Sequence, residues 1–189
     1  MTIPTYIIIM IAISSILYVI LLYNNLIKLK NNIQMAWSNI DVLLKQRHDE
    51  LPKLVEACKQ YMKHEKGTLE NVIEARNQVM TASQANDALR LGQAETQLRT
   101  GLGNLFALAE NYPQLKADTA FQQLQTRISA LENSISDRRE LYNDCVNLNN
   151  MRIEQIPDVL IANAFGFKAA KLLEFSQEET KDINLKELF

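Results

Sequence analysis

The longest regular pattern of apolar and polar positions runs from Asn24 to Glu65. Apolar side chains fall at 26, 29, 33, 37, 40, 44, 51, 54, 58 and 61, steps of three and four, with one of seven after Leu44, that wind round one face of a helix. Such a stripe is the seam of a coiled-coil-like bundle helix. The stretch holds no Gly and a single proline, Pro52, which removes a backbone donor and strains the turn before it. A kink or a break is therefore expected near Glu50. Asp49 could cap a restart, but the pattern resumes in register at Leu54 and Cys58, which favours a kinked, continuous helix. Beyond Gly67 the stripe continues through Leu69, Val72, Ile73, Arg76 and Val79. The rod is expected to extend to about Thr81, with the segment 67–81 counting at most as a fourth helix.

Upstream, the pattern becomes apolar all round. Residues 2–23 contain no acidic or basic side chain, and about 20 such residues at 1.5 Å each cross a hydrocarbon core of roughly 30 Å. No Lys or Arg precedes the run and no small-x-small site follows it, which argues for a retained anchor rather than a cleaved signal. Tyr6, Ile11, Leu17, Leu22 and Tyr23 are the anchor's candidate membrane residues. Tyr6, Tyr18 and Tyr23 lie toward its ends, where interface-seeking aromatics sit, although Tyr18 could equally face a neighbouring helix. Lys28 and Lys30 follow closely, with Lys45 and Arg47 beyond. The positive-inside rule then puts the short N-terminus outside and the bulk of the chain in the cytoplasm.

Downstream, residues 81–87 are small and polar and end in Asn86 and Asp87, which suit a hairpin and a helix cap. Leu91, Ala94, Leu98, Leu102, Leu105, Ala109 and Tyr112 mark the next amphipathic helix, ended by Pro113. Gly101 and Gly103 inside it suggest close helix approach; without a preceding strand or a following Lys-Ser/Thr they make no phosphate loop. Asp118 can cap a further helix with a seam at Phe121, Leu124, Ile128, Leu131, Ile135, Arg138, Tyr142, Cys145, Asn149 and Arg152. Asn149 is the candidate buried polar residue that fixes register. Pro157 ends the pattern, one or two short helices are expected around Gly166, and the residues after 175 read as an acidic tail.

The expected fold is all-α: an N-terminal transmembrane helix, 1–23, continuous with an elongated antiparallel bundle of three to four long helices, 24–175, and a flexible tail, 176–189. Only 5 Gly and 4 Pro with 7% aromatic residues fit helices rather than a sandwich or barrel. The net charge of -2 leaves no electrostatic footprint for nucleic acid. Local positive charge after the anchor could favour anionic headgroups, though interspersed acids read more simply as a solvated face.

Little chemistry is offered. His64-Glu65 lacks the second histidine of a zinc helix, because Thr68 stands there. His48 and His64 are too far apart on one helix to share a metal, and a helix-surface or inter-helix hydrogen bond is the simpler role. Cys58 and Cys145 fall on seams and read as small core residues. Asp41, Glu65, Glu70 and Glu74 alternate with Arg47, Lys63, Lys66 and Arg76 as exposed ion pairs do. Trp37 reads as a core anchor. No nucleophile triad or nucleotide loop can be assembled, so no cofactor, metal or small-molecule substrate is expected.

A further set of residues carries a resemblance. The span followed by YNNLIKL, then AWSNIDVLLKQR, LPKLV, HEKGTLENVIEAR, LFALAENYPQLKAD and LYNDCVNLNN, resembles the LemA family of bacterial membrane proteins over nearly the whole chain. Glu50, Lys53, Asp137 and Leu148 depart from its usual pattern. The resemblance implies an N-terminally anchored antiparallel bundle in the bacterial inner membrane, without catalytic activity. It also implies a role in organising membranes or an association with membrane proteins such as zinc metalloproteases.

The function expected from these readings is a non-enzymatic scaffold that self-assembles and organises a membrane or membrane-protein partner. The alternative is an accessory or regulatory subunit of a membrane protease or signalling complex. Ile33, Met35, Trp37, Val42 and Leu43 widen the apolar stripe and form the candidate assembly surface of a homo-oligomer. Phe165, Phe167, Lys168, Lys171 and Phe175, with Leu188 and Phe189 at the end of the tail, form the candidate partner contact. The aromatic-basic group suits a membrane surface, a neighbouring subunit, or docking back onto the bundle. The tail's apolar residues suit a docking peptide or a plain disordered end.

Overall fold

A computed structural model of the protein describes residues 3–174. Six helices follow one another: α1 (Ile3–Tyr61), α2 (Lys66–Gln84), α3 (Ala88–Ala109), α4 (Pro113–Lys116), α5 (Thr119–Glu154) and α6 (Asp158–Phe165). No strand occurs among the described residues; the fold is all-α, with a long apolar helix at its N-terminus. The described residues divide into two compact units, 3–37 with 141–171 and 38–140 with 172–174.

The second unit is a four-helix arrangement whose directions follow from side-chain contacts. Ser83 donates to Asp41 at 2.8 Å, and Arg76 reaches His48, so α2 runs back along α1. Tyr112 donates to Glu65 at 3.2 Å and Glu95 pairs with Arg47, so α3 runs parallel to α1. Tyr61 donates to Asp118 at 3.0 Å, Arg127 meets Glu50 at 3.2 Å, and Glu132 pairs with Arg47, so α5 returns antiparallel. The topology is up-down-up-down. Its core includes Ile40, Leu44, Leu51, Leu54, Cys58, Met62, Leu98, Leu105, Leu115, Phe121, Ile128 and Ile135, all almost fully buried.

The expected rod to Thr81 is overturned, because α1 stops at Tyr61 and α2 starts afresh at Lys66. Met62 is fully buried and its N–H still reaches Cys58 O, but Lys63, His64 and Lys66 are exposed. The chain reverses through this charged run and lays Leu69, Val72 and Val79 onto the bundle core. The similar stripes on both sides of Gly67 thus belong to two antiparallel helices facing one core. Residues 81–87 form the second hairpin: Asn86 takes a left-handed backbone (φ 51°), and Asp87 accepts from Arg90 N–H at 3.2 Å. Asp118 caps α5, accepting from the N–H groups of Ala120 at 2.8 Å and Phe121 at 3.1 Å. The Phe121 N–H, and after it the Tyr61 hydroxyl, hold its carboxyl below the usual carboxylate range.

Of the two expected close-approach glycines, Gly101 faces Val72 Cγ2 of α2, whereas Gly103 faces open space. Gly92 has the tighter fit, since a Cβ there would sit 2.6 Å from the Glu174 carbonyl oxygen.

Pro52 lies inside α1 without breaking it, so Asp49 caps nothing. The missing N–H leaves the His48 carbonyl without its helical donor. Arg76 of α2 replaces that donor: its Nε donates to His48 O at 2.8 Å, and its Nη2 lies 2.7 Å from His48 Nε2. Burial, and then the Arg76 charge, push the imidazole below its usual pKa, which keeps Nε2 an acceptor. Because the folded-state pKa is the lower one, this contact is favoured above the ordinary imidazole range and weakens as pH falls. Arg76 is therefore an inter-helix clamp rather than an exposed ion-pair partner.

The first unit contains residues 3–37 of α1, the last part of α5, α6 and the non-helical strap to Lys171. The α5 seam keeps the expected Tyr142 and Asn149, both buried, but takes Arg139 in place of exposed Arg138 and Val146 in place of half-buried Cys145. A continuation from Ile135 in steps of four and three gives these positions. One short helix forms before Gly166, which caps it in the left-handed conformation (φ 71°), and residues 167–174 are not helical. Asn150 clamps this strap by donating to Ala170 O and accepting from Ala170 N–H, both at 2.9 Å. The Tyr142 hydroxyl donates to Lys171 O at 3.0 Å.

Arg76→Ala is expected to cost about 1–3 kcal/mol, the range for orphaning a buried acceptor. In a Pro52→Ala background the loss should shrink, because the new N–H serves His48 O. A thermal-unfolding double-mutant cycle in detergent measures this coupling, and strictly additive effects would exclude the replacement.

Candidate functional site

Two side-chain constellations stand out, one in each unit. In the first unit, residues 3–21 of α1 are exposed apart from half-buried Thr5, forming an apolar surface with no protein packed over it among the described residues. Of the candidate anchor residues, Tyr6, Ile11 and Leu17 lie on this surface, Leu22 is buried, and Tyr23 is half-buried. A helix this long and apolar can cross a membrane by length and composition. At the C-terminal end of this surface the Tyr23 ring meets Phe165 with ring centroids 4.7 Å apart and Phe167 at 5.9 Å, tilted and edge-on respectively. Lower on the same helix, Trp37 meets Tyr142 edge-on at 5.5 Å. Trp37 is thus a packing residue, as its place on the seam suggests. Offset and edge-on pairs of this kind align the positive ring edge with the negative face.

The candidate partner-contact residues fall into three groups. Phe165, Lys168 and Lys171 are exposed, Phe167 is half-buried, and Phe175, Leu188 and Phe189 lie outside the described residues. On the candidate assembly surface, Met35 is 59% exposed and Val42 53%, while Ile33, Trp37 and Leu43 are half-buried.

In the second unit, Arg47 is 1% exposed and its guanidinium pairs with both Glu95 of α3 and Glu132 of α5. Arg99 approaches the second Glu132 oxygen at 3.4 Å. Burial acts to lower the Arg47 pKa, but Glu95 and Glu132 outweigh it and raise the value, so the side chain stays a cation. Reading Arg47 as part of an exposed ion-pair face is therefore wrong. Its position was visible in the stripe all the same. Residue 47 falls three after Leu44 and four before Leu51, Glu95 four after Leu91 and three before Leu98, and Glu132 four after Ile128 and three before Ile135. Each charge occupies a seam position on its own helix. A polar residue at a core position that recurs on three helices is the signal that could have joined them.

The cluster is a buried ion-pair network that joins α1, α3 and α5. A groove of about 1200 Å³ lies elsewhere between α1 and α2, over Val55, Met62 and Leu69. Its exposed margin mixes Lys59, Lys63 and Lys66 with Glu56, Glu70 and Glu74. No group of three or more His, Cys, Asp and Glu side chains among the described residues could hold a metal ion. Both cysteines are free; Cys58 is fully buried, with its thiol pushed up to about 12 by burial, and Cys145 is half-buried.

Arg47→Met should destabilise the protein by about 3–5 kcal/mol, because Glu95 is left as an unpaired buried charge. Adding Glu95→Leu and Glu132→Leu should recover most of that loss. Chemical unfolding in detergent tests both statements, and a single variant as stable as the wild type would contradict them.

Comparison with known proteins places these features in a family. The chain is similar to Magnetosome protein MamQ 2 and Magnetosome protein MamQ 1 of Paramagnetospirillum magneticum, each 23% identical over 183 residues and covering 83% of this chain. The chain spans 65% of the length of those two relatives. It is also similar to Protein LemA of Metamycoplasma hominis, 26% identical over 165 residues, which cover 87% of this chain and 74% of that protein. None of these names denotes an enzyme. Together with the apolar helix, the relatives fit a membrane-associated protein. The LemA family model matches residues 36–186, from the second third of α1 onward, and the chain belongs to the LemA family.

Proposed function

We propose that this chain is a non-enzymatic, membrane-anchored helical scaffold that assembles laterally and organises a membrane or its proteins. The observation that carries the reading is the exposure of Met35 and Val42 on α1, the helix that also contains the apolar span. Large apolar side chains left open on a helix leaving a membrane favour association, because each hides surface from water when a neighbour covers it. Ile33 and Leu43, half-buried beside them in sequence, would add area to such contacts. The name of the MamQ relatives refers to the magnetosome, which is consistent with a role at a membrane-bounded structure. The apolar span serves as the anchor, with the short N-terminus outside and the helical units in the cytoplasm of the inner membrane. Arg47 and its two glutamates supply rigidity rather than chemistry.

A photo-crosslinking amino acid at Met35 or at Val42, activated in intact membranes, tests assembly at each position separately. The expected products are adducts at multiples of the chain's own mass, matched by an oligomer on native mass measurement in detergent. Adducts to a single different protein from a monomeric chain would instead support an accessory subunit. A monomer without adducts would refute the scaffold.

A further inference from the structure

We infer that α6 is an interfacial helix, with Ile156, Leu160 and Phe165 set into the bilayer that receives the apolar span. Ile156 is 85% exposed, Leu160 67% and Phe165 60%. The inward side of α6 is already fixed: Ala162 is buried, and Asp158, the helix's sole acidic residue, is 2% exposed and pairs with Arg152 at 3.4 Å. Leu160, two residues from each, points the other way. The exposed surface of α6 therefore carries no carboxylate, whereas the residues just beyond it include exposed Lys168 and Lys171.

The height of α6 is set by Tyr23. That residue ends the long apolar stretch, being followed by Asn24 and Asn25, so its ring belongs at the headgroup level, and the Phe165 ring lies against it. An apolar helix held at that level by an aromatic pair is continuous with the surface of the span. Exposed apolar side chains with lysines just beyond them are a usual composition of a segment lying in an anionic interface. The strap after α6 does not cover Leu160, because Phe167 N–H is bonded to Ala162 O at 2.9 Å and Asn150 holds Ala170. The occupant proposed for this surface is lipid. A second copy of the chain is the competing outcome. The inference needs the span but is independent of self-assembly.

The test uses full-length Leu160→Trp reconstituted in vesicles of phosphatidylcholine and phosphatidylglycerol, with lipids brominated near the headgroup end of one acyl chain. The wild type, whose sole Trp is Trp37, is subtracted, and Gln97→Trp on the exposed side of α3 serves as the control. Quenching of the added indole by at least twofold, with little effect at position 97, is expected. Quenching no greater than that control, with water-like emission, would overturn the inference. Blue-shifted but unquenched emission that depends on protein density would also overturn it, and would point to a second copy. Flotation of every variant with the vesicles shows that the anchor is inserted, so failure at position 160 remains distinct from failure of the span. Leu160 is exposed, so the substitution leaves the packed side of α6 intact.

Discussion

The second unit depends on a cation with nowhere else to go. Arg47 lies inside a four-helix arrangement and meets carboxylates from two other helices. Removing a guanidinium from water costs several kcal/mol, and attraction to the two glutamates offsets that cost only while all three helices hold their places. A slide of α3 or α5 by one turn would carry Glu95 or Glu132 about 5.4 Å away and leave the charge unpaired. Apolar side chains tolerate such slides better, since one leucine replaces another at similar energy. The cluster therefore acts mainly on register, selecting among pairings that Leu44, Leu51, Leu98 and Ile128 would otherwise permit. The Arg76 contact works similarly between α1 and α2, where a guanidinium completes the backbone that Pro52 leaves open.

The first unit is organised differently. Beside the Arg152–Asp158 ion pair, its contacts include aromatic and amide ones: Tyr23 with Phe165 and Phe167, Trp37 with Tyr142, and Asn150 with the Ala170 backbone. These interactions lose less in a region of changing polarity than paired charges would, because rings have both an apolar body and a directional edge. Asn150 satisfies donor and acceptor of one residue at once, which fixes the strap without regular secondary structure. The unit thus holds α6 beside the end of the apolar span while leaving the outward side chains of both uncovered.

Much of the architecture was legible because helix periodicity survives in a single sequence. The apolar span, the stripe through Ile40, Leu44, Leu51 and Leu54, and the caps Asp87 and Asp118 needed only local rules. The reversal at residues 62–65 did not, because two helices facing one core display the same stripe and no Gly-Pro turn separates them. An arginine on the seam at 138 looks the same in sequence as one at 139 until the neighbouring helices are known. Arg47 looks solvated for a related reason: charge normally signals water, and only the joint positions of Glu95 and Glu132 show otherwise. The candidate assembly residues are legible as apolar excess, but a chain alone does not display the neighbour that would cover them.

Hydrogen exchange on the full-length wild type and Arg47→Met in detergent addresses the central constraint most directly. If the cluster holds three helices in register, amides around residues 44–51, 92–98 and 128–135 should lose protection together, by at least tenfold, in the variant. Loss confined to α1, or unchanged protection in all three segments, would contradict the account.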